Sequence, residues 1–522
     1  MISGSLDTED SGVRPKHRFL NKLNLTDLIV GVVICLLSAG AITVLQSHFY
    51  GFVYAYHDLG VITDWFTNAI YRGRPFWITD YGINHLAVHF SPTHLLLIPA
   101  YLFSSSSFVL LVLGVLQVGA GLYVSHRFSS ALFRPMMLAE WHGALASIGV
   151  ILLVALNPFV KSVLDSAHAE LFYIPLSLGF MHALIFSESL PLAIVLFLLS
   201  LGVRAEAGMY LAFQCLSLAF LPREVRSARP DRNLRRMAFL FAAVSIAYVI
   251  VVVKIVNPLV FNTHDGHIER GWSRWGSTWF QVILAMVCSP KAVLLEVFNS
   301  SCLRLNQSFA FLPWLSPVGA FLINLPGVLL YAASSVDKKF LWYYNASFLL
   351  PGFIVWSHVG IYRFVRWLST FASRARLPRW SVPAATVAVA AMILTKPLAS
   401  LQETAESPHG FSFREKEGAR DDAAAIRQWL STCPAASRVA TDFRHIIYVP
   451  NREERYLLRN FQQADAIFLF RDADPMLSGD KTPDELGLSL ASMPDFTLDL
   501  EARNLRVYRR RSIQCLQLAR GG

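Results

Sequence analysis

The sequence predicts a polytopic α-helical membrane protein that carries a small C-terminal α/β domain, and three observations support that reading. Of the 522 residues, 54% are hydrophobic and only 16% charged, with a mean hydropathy of +0.44, which is too apolar for a water-soluble globule. Apolar runs approaching the ~20 residues needed to cross a hydrocarbon core recur between residues 26 and 400. Beyond residue 401 no such run occurs, and charges of both signs are interspersed. The formal net charge of +10 raises nucleic acid as a partner. The arginines, however, collect in loops between apolar runs, as in cytoplasmic loops of membrane proteins, so no nucleic-acid partner is expected.

Residues 1–25 read as a cytoplasmic N-terminal segment, because Arg14, Lys16, Arg18 and Lys22 precede the first apolar run at 26–48. That run is longer than a signal-peptide core and lacks a small-residue cleavage site, so it is expected to stay as an anchor. Residues 49–103 follow as an outer loop. Further runs lie near 104–126, 143–158, 171–187, 189–203, 207–221, 237–256, 279–298, 307–333, 341–362 and 381–400, giving about eleven spans in a membrane domain of residues 26–400. Lys291 and Glu296 mark the 279–298 run as interfacial or re-entrant. The arginine clusters "LPREVRSARPDRNLRR" (221–236) and "YRFVRWLSTFASRARLPR" (362–379) fix the parity with both inside. The expected placement is therefore multi-pass in the plasma (inner) membrane, with a cytoplasmic N-terminus and residues 401–522 as a soluble extracytoplasmic domain.

Within that domain, "EGARDDAAAIRQWLS" (417–431) has the pattern of a helix, and 437–449, 464–472 and 496–511 read as strands, the last a hairpin across "EARN". Cys433 and Cys515 bracket the domain, and an oxidising space permits a bridge between them. Sequence cannot show that they meet, and the plainer reading is two unrelated thiols.

Four polar clusters fall on the outer face of this topology. The first is "YAYHDLGVITDWFTNAIYRGRPFW" (54–77), with His57, Asp58, Asp64, Arg72 and Arg74, extended by His85, His89 and His94 in "INHLAVHFSPTH". The second, "NPFVKSVLDSAHAELF", supplies Lys161, Asp165, His168 and Glu170. The third is Arg204 and Glu206 in "GVRAEAGMY", at the turn of an apolar hairpin, and the fourth is "FNTHDGHIERGWSRW" around residues 264–270. Ionisable groups at membrane depth are costly to bury, so such clusters mark functional sites. Each also has a plainer explanation: Asp58 as a helix cap, Arg72 and Arg74 reaching for lipid headgroups, Arg204 and Glu206 pairing with each other, and the others as solvated loops. His85 and His89 have the i, i+4 spacing of a zinc helix but lack the glutamate of HExxH, so zinc is not expected.

The blocks "YHDLGVITDWFTNAIYRGRPF", "NHLAVHFSPTHLLLIPAYLF", "DSAHAELFYIPL", "RAEAGM", "SRVATDFRHIIYVPNREERYLL" and "ADAIFLF" resemble, in order and spacing, the domain-of-unknown-function 2079 family of predicted membrane proteins. That family is similar in layout to the GT-C glycosyltransferases, which use polyprenyl-phosphate sugars and keep an essential carboxylate in the first outer loop. The resemblance implies a GT-C-like fold, a polyprenyl-phosphate sugar donor in a lipid membrane, and catalysis at Asp58. The chain departs from the family at two places. "DSAHAE" replaces the usual Asp-Phe-His-Pro-Glu, and Arg204, Ala205 and Glu206 stand where Lys-Glu-Asp is usual.

Transfer from a lipid phosphate needs a base for the acceptor hydroxyl and cations, or a metal, for the departing phosphate. On that scheme Asp58 is base or metal ligand. Arg72, Arg74 and Arg204 hold phosphate, and Asp165, His168 and Glu170 take the acceptor or, through Asp165, a divalent ion. His57, His89 and Glu206 complete the substrate-binding set. Oxygen-rich ligands favour Mg2+ or Mn2+. The rival readings are a transporter or lipid-binding permease, and a non-catalytic envelope scaffold.

Overall fold

A computed structural model describes residues 25–50, 57–79, 82–102, 106–133, 140–166, 168–187, 189–226, 233–261, 272–298, 301–329, 345–375, 417–442, 445, 448, 454–471 and 482–515. The N-terminal basic residues, the cluster at 264–270 and the apolar run at 381–400 lie outside them.

The helical body consists of α1 (Leu25–Tyr50), α2 (His57–Arg72), α3 (Phe108–Phe133), α4 (Glu140–Ala155), α5 (Pro158–Ser166), α6 (Tyr173–Phe186), α7 (Leu190–Leu201), α8 (Ala207–Leu218), α9 (Leu234–Val251), α10 (Trp279–Cys288), α11 (Pro290–Phe298), α12 (Pro317–Gly327) and α13 (Ala346–Arg374). Among the described residues five helices are long and apolar enough to cross a bilayer: Leu25–Tyr50, Phe108–Phe133, Ala169–Phe186, Leu234–Phe261 and Ala346–Arg374. A sixth arises if α4 and α5 act as one span bent by 56°. The bend has a local cause. Asn157 accepts the Phe159 N–H at 2.9 Å as an N-terminal cap, and Pro158 starts the new helix without a donor to lose. α7, α8 and α12 are shorter apolar helices. The 279–298 run forms two short helices, α10 and α11, separated where Pro290 cannot continue the first.

α13 is the hub, almost wholly buried from Ala346 to Tyr362, whereas α1 exposes Leu28, Ile29, Val32, Leu36 and Val44 on its outer side. Polar side chains within the body are matched to one another. Gln214 accepts from the hydroxyls of Tyr173 and Ser177 at 2.9 and 2.7 Å and donates to the Phe348 carbonyl, which ties α8 to α6 and α13. Trp356 donates to Ser217.

α1 and α3 run antiparallel and define two ends. At one end Asp27 meets His126, and the rings of Phe49 and Phe108 lie 5.6 Å apart at the other. The Asp27 end also carries the arginines: Arg363 donates to the Phe220 carbonyl, Arg235 to that of Ala219, and Arg366 lines a recess with Pro222.

At the Phe49 end lies a five-stranded sheet built from β3 (Arg438–Thr441), β4 (Glu454–Leu457), β5 (Ala466–Phe470), β6 (Phe496–Glu501) and β7 (Leu505–Arg510), after a two-stranded hairpin of β1 (Trp77–Ile78) and β2 (Ile83–Asn84) in the outer loop. Its order is β4-β3-β5-β7-β6, with β3 parallel to β4 and β5, and β7 antiparallel to β5 and β6. β5 is buried at every position, as the unbroken apolar run "AIFLF" requires of a central strand. The sheet packs with α14 (Ala419–Thr432) and α15 (Pro483–Ser492), the latter opened by a capping box between Thr482 and Glu485. A disulfide joins Cys433 to Cys515. The sheet rests on the helical body through Tyr448, whose ring lies 5.2 Å from Phe49, and through Arg427, 5.3 Å over the ring of Tyr50.

Candidate functional site

Three segments far apart in sequence converge at the sheet-bearing end. The first is the outer loop. α2 buries Thr63, Asp64, Trp65, Phe66 and Asn68, and its end is set by Gly73 in the left-handed region at φ +62°. Asn68 donates to the Trp77 carbonyl at 2.8 Å, and Asp64 accepts the Thr79 N–H at 2.7 Å. Asp64 therefore anchors the β1–β2 hairpin against α2, its carboxylate accepting from both the N–H and the hydroxyl of Thr79. Beyond the hairpin, Asn84 caps a short 3-10 turn over His85–Ala87, and His89 follows.

The second segment is the break between α5 and α6. His168 is extended and opens a 3-10 turn over Ala169–Phe172 that carries Glu170. The third is the α7–α8 hairpin, which presents Arg204 and Glu206. Its seat on the outer loop is close: the Thr93 N–H donates to the Gly202 carbonyl at 2.9 Å and the Thr93 hydroxyl to that of Leu199 at 2.7 Å. A side chain at position 202 would collide with the Thr93 hydroxyl, so this contact needs glycine.

Arg204 is the centre of the group. It is 6% exposed, and its guanidinium lies 3.3 Å from Glu170 Oε1, 2.9 Å from Glu206 Oε2 and 3.3 Å from His89 Nε2. His168 Nδ1 stands 3.2 Å from the other Glu170 oxygen. Both oxygens of Glu170 are thus engaged, one by Arg204 and one by His168. A buried carboxylate is tolerable only when so paired, and Glu206, at 37% side-chain exposure, forms the wetter rim.

The structure therefore brings His89, His168, Glu170, Arg204 and Glu206 together. Arg72 and Arg74 are placed differently. Arg72, at the end of α2, acts on the phenol of Tyr456 in β4, as do Arg438 and Asp64, while burial pushes that phenol above its usual range. Arg74 is exposed and its guanidinium lies 5.9 Å over the ring of Trp77. The backbones of His57 and Asp58 form the first turn of α2, and that of Asp165 lies in α5; their side chains are outside the described residues. Position 58 falls seven residues before Trp65, two turns along the same helix face. Among the described residues no group of three or more His, Cys, Asp or Glu side chains is arranged to hold a metal ion.

Sequence reasoning left His94 out of the substrate-binding set, although it lies in the same stretch. It is 2% exposed, and its ring lies parallel to that of Trp65 at 6.1 Å. A second buried group, Asp27 with His126 and Ser147, drew no attention in the sequence. Its signals were an Asp two residues into an apolar run and a His beside Arg127 near the end of the next.

The model of the family described as predicted membrane protein (DUF2079) matches residues 48–489. The chain belongs to this family. Its matched region takes in the outer loop, the α5–α6 break, the hairpin of Arg204 and most of the C-terminal sheet. No curated protein matches this DUF2079 member. Among solved structures it is similar to ArnT from Cupriavidus metallidurans. The crystal structure bound to undecaprenyl phosphate aligns at 15% identity over 93% of this chain and 98% of that chain, with a TM-score of 0.44. The apo crystal structure aligns at 14% identity over 92% and 98%, also at 0.44. The cryo-EM structure of arabinofuranosyltransferase AftD from Mycobacteria aligns at 14% identity over 91% of this chain and 40% of that chain, with a TM-score of 0.43.

Proposed function

We propose that this DUF2079 protein is a GT-C-like integral-membrane glycosyltransferase that moves a sugar from a polyprenyl-phosphate donor at the outer face of the plasma membrane. The observation that carries the reading is the burial of Arg204 among Glu170, His168 and His89 at one end of an apolar helical body. A fixed guanidinium at that depth suits a lipid phosphate, because it binds oxyanions in a low-dielectric site without reorganising. Exposed apolar helix faces such as that of α1 suit the prenyl tail.

The orientation supports the same scheme. The arginine-rich end faces the cytoplasm, about eleven spans put residues 401–522 outside, and the Cys433–Cys515 bridge suits an oxidising compartment. In the mechanism Asp58, on the helix face shared with Trp65, takes the proton of the acceptor hydroxyl. Arg204 stabilises the departing phosphate, and His168 with Glu170 holds Arg204 in place. Asp58 and Asp165 are the groups proposed for Mg2+ or Mn2+.

The test is sugar transfer from a polyprenyl-phosphate donor pool in membranes containing wild-type or Asp58→Asn protein at matched levels. Asn caps a helix about as well as Asp, so the fold is kept while the base is lost. Transfer is expected to fall by at least ~100-fold. An Asp58→Asn protein as active as wild type eliminates Asp58, and wild-type membranes inactive with every donor reject glycosyl transfer.

A further inference from the structure

His94 differs from the other ionisable groups of the site because the fold fixes it without using it. It lies in a 3-10 helix over Pro92–Leu97 and is 2% exposed. Neither ring nitrogen has a hydrogen-bond partner among the described residues. The indole N–H of Trp65, stacked 9° from parallel beside it, is likewise buried without a partner there. The position of the imidazole relative to Arg204 is nevertheless set by its neighbour Thr93, which is bonded twice to the α7–α8 hairpin. Glu170, His85, Arg204 and His168 all lie close enough to act on its charge.

Buried polar atoms in folded proteins are almost always paired, with protein, with water or with a ligand. We infer that His94 and the Trp65 indole bind hydroxyl groups of the sugar carried by the lipid donor. The inference rests on the proposed glycosyl transfer and names the part of the donor that each group reads.

Burial lowers the imidazole from its ordinary 6.5 to about 4, so at neutral pH it is uncharged and offers one donor and one acceptor nitrogen. An acceptor nitrogen needs a donor opposite it. A phosphodiester carries none, whereas a sugar hydroxyl is donor and acceptor at once and matches both kinds of group. Arg204, with donors only, suits the phosphate. One corner of the site thus reads the anion and the other the polyol, with Thr93 holding the spacing between them. A site built on buried hydroxyl-binding groups also discriminates strongly against ligands that lack them, because its own polar atoms are then left unpaired.

The test compares full-length protein in nanodiscs binding polyprenyl phosphate with the same protein binding the best-retained of its glucosyl, galactosyl, mannosyl and arabinosyl forms. His94→Phe keeps the ring stack and removes both polar atoms, and His94→Gln keeps a donor and an acceptor. His94→Phe should bind the glycosylated lipid at least about tenfold more weakly, with retention of the bare lipid unchanged and His94→Gln in between. Without ligand, both variants should unfold at or above the wild-type temperature. The inference fails if His94→Phe retains the glycosylated lipid as wild type does, or if no glycosylated form outbinds the bare lipid. It fails as well if both variants are destabilised, since the imidazole would then be held by the protein itself. Wild type that binds neither lipid rejects the proposed function, and the role of His94 with it.

Discussion

Near each end of the helical body one buried histidine is held in a different way, His126 at the arginine-rich end and His94 at the sheet-bearing end. At the arginine-rich end His126 is committed at both nitrogens, Nδ1 to Ser147 and Nε2 to Asp27, each at 2.9 Å, and Arg127 reaches the second Asp27 oxygen at 3.3 Å. That group links α1, α3 and α4 and is closed. At the sheet-bearing end Glu170 is likewise fully engaged, yet His94 beside it is matched at neither nitrogen among the described residues. A network with all its members paired holds helices together, and one with an unmatched buried member keeps unused hydrogen-bonding capacity. The same residue type therefore closes a network at one end and, on the inference drawn for His94, serves recognition at the other.

The largest expected effect comes from Arg204→Ala, which would leave Glu170 buried without its guanidinium partner. Removing one partner of a buried ion pair costs about 3–5 kcal/mol, so unfolding in detergent or nanodiscs should shift to clearly lower temperature. Glu206→Ala, at the exposed rim, should cost less than ~1 kcal/mol. Equal effects of the two would show that Arg204 is not buried as described. Next in size is the contrast between the ends. His126→Phe removes the imidazole that both Ser147 and Asp27 engage and should cost on the order of 2 kcal/mol, whereas His94→Phe should cost nothing in the absence of ligand. Equal destabilisation by both variants would break the distinction between a closed and an open network.

The smallest effect is on pH dependence. The folded-state pKa of His94, about 4, lies below its ordinary 6.5, so the unfolded chain takes up the proton first as pH falls. Stability from this group is thus present above about pH 6.5 and declines toward about pH 4. Unfolding temperatures between those values should fall less steeply for His94→Phe than for wild type. Parallel profiles would mean that Glu170, His85 or His168 dominates the slope.

Some of this was legible in the sequence and some was not, for identifiable reasons. Arg204 and Glu206 stood out because two charges interrupt an apolar hairpin, and His168 and Glu170 because they sit between two apolar runs; chain order alone exposes such positions. The strand segments at 464–472 and 496–511 showed through alternation, continuous apolar character and the turn at "EARN", and contain β5 and the β6–β7 hairpin. The segment at 437–449 yields only a four-residue strand, because Asp442 ends β3 by turning its carboxylate onto the His445 N–H and ring. The pairing of Asp27 with His126 was hidden because it depends on how α1 and α3 cross, which no spacing encodes. Arg72 is a phosphate candidate by its charge at the membrane surface, and its closeness to Tyr456 of the sheet depends on how α2 packs, which no spacing encodes. Whether a thiol pair meets was likewise undecidable from spacing, since closure of Cys433 with Cys515 spans 82 residues of intervening fold.

The seat of Tyr448 and Arg427 on Phe49 and Tyr50 also dictates an order of events during synthesis. α1 leaves the ribosome hundreds of residues ahead of the sheet that covers its end, so those aromatic rings stand uncovered while the intervening helices insert. The sheet that carries this covering is complete only once β7 and Cys515 have been translated, because β7 pairs with β5 and Cys515 closes onto Cys433. Nonsense truncation upstream of residue 515 should leave an inserted helical body with an aromatic collar unshielded at the membrane surface, a species that invites proteolysis and self-association.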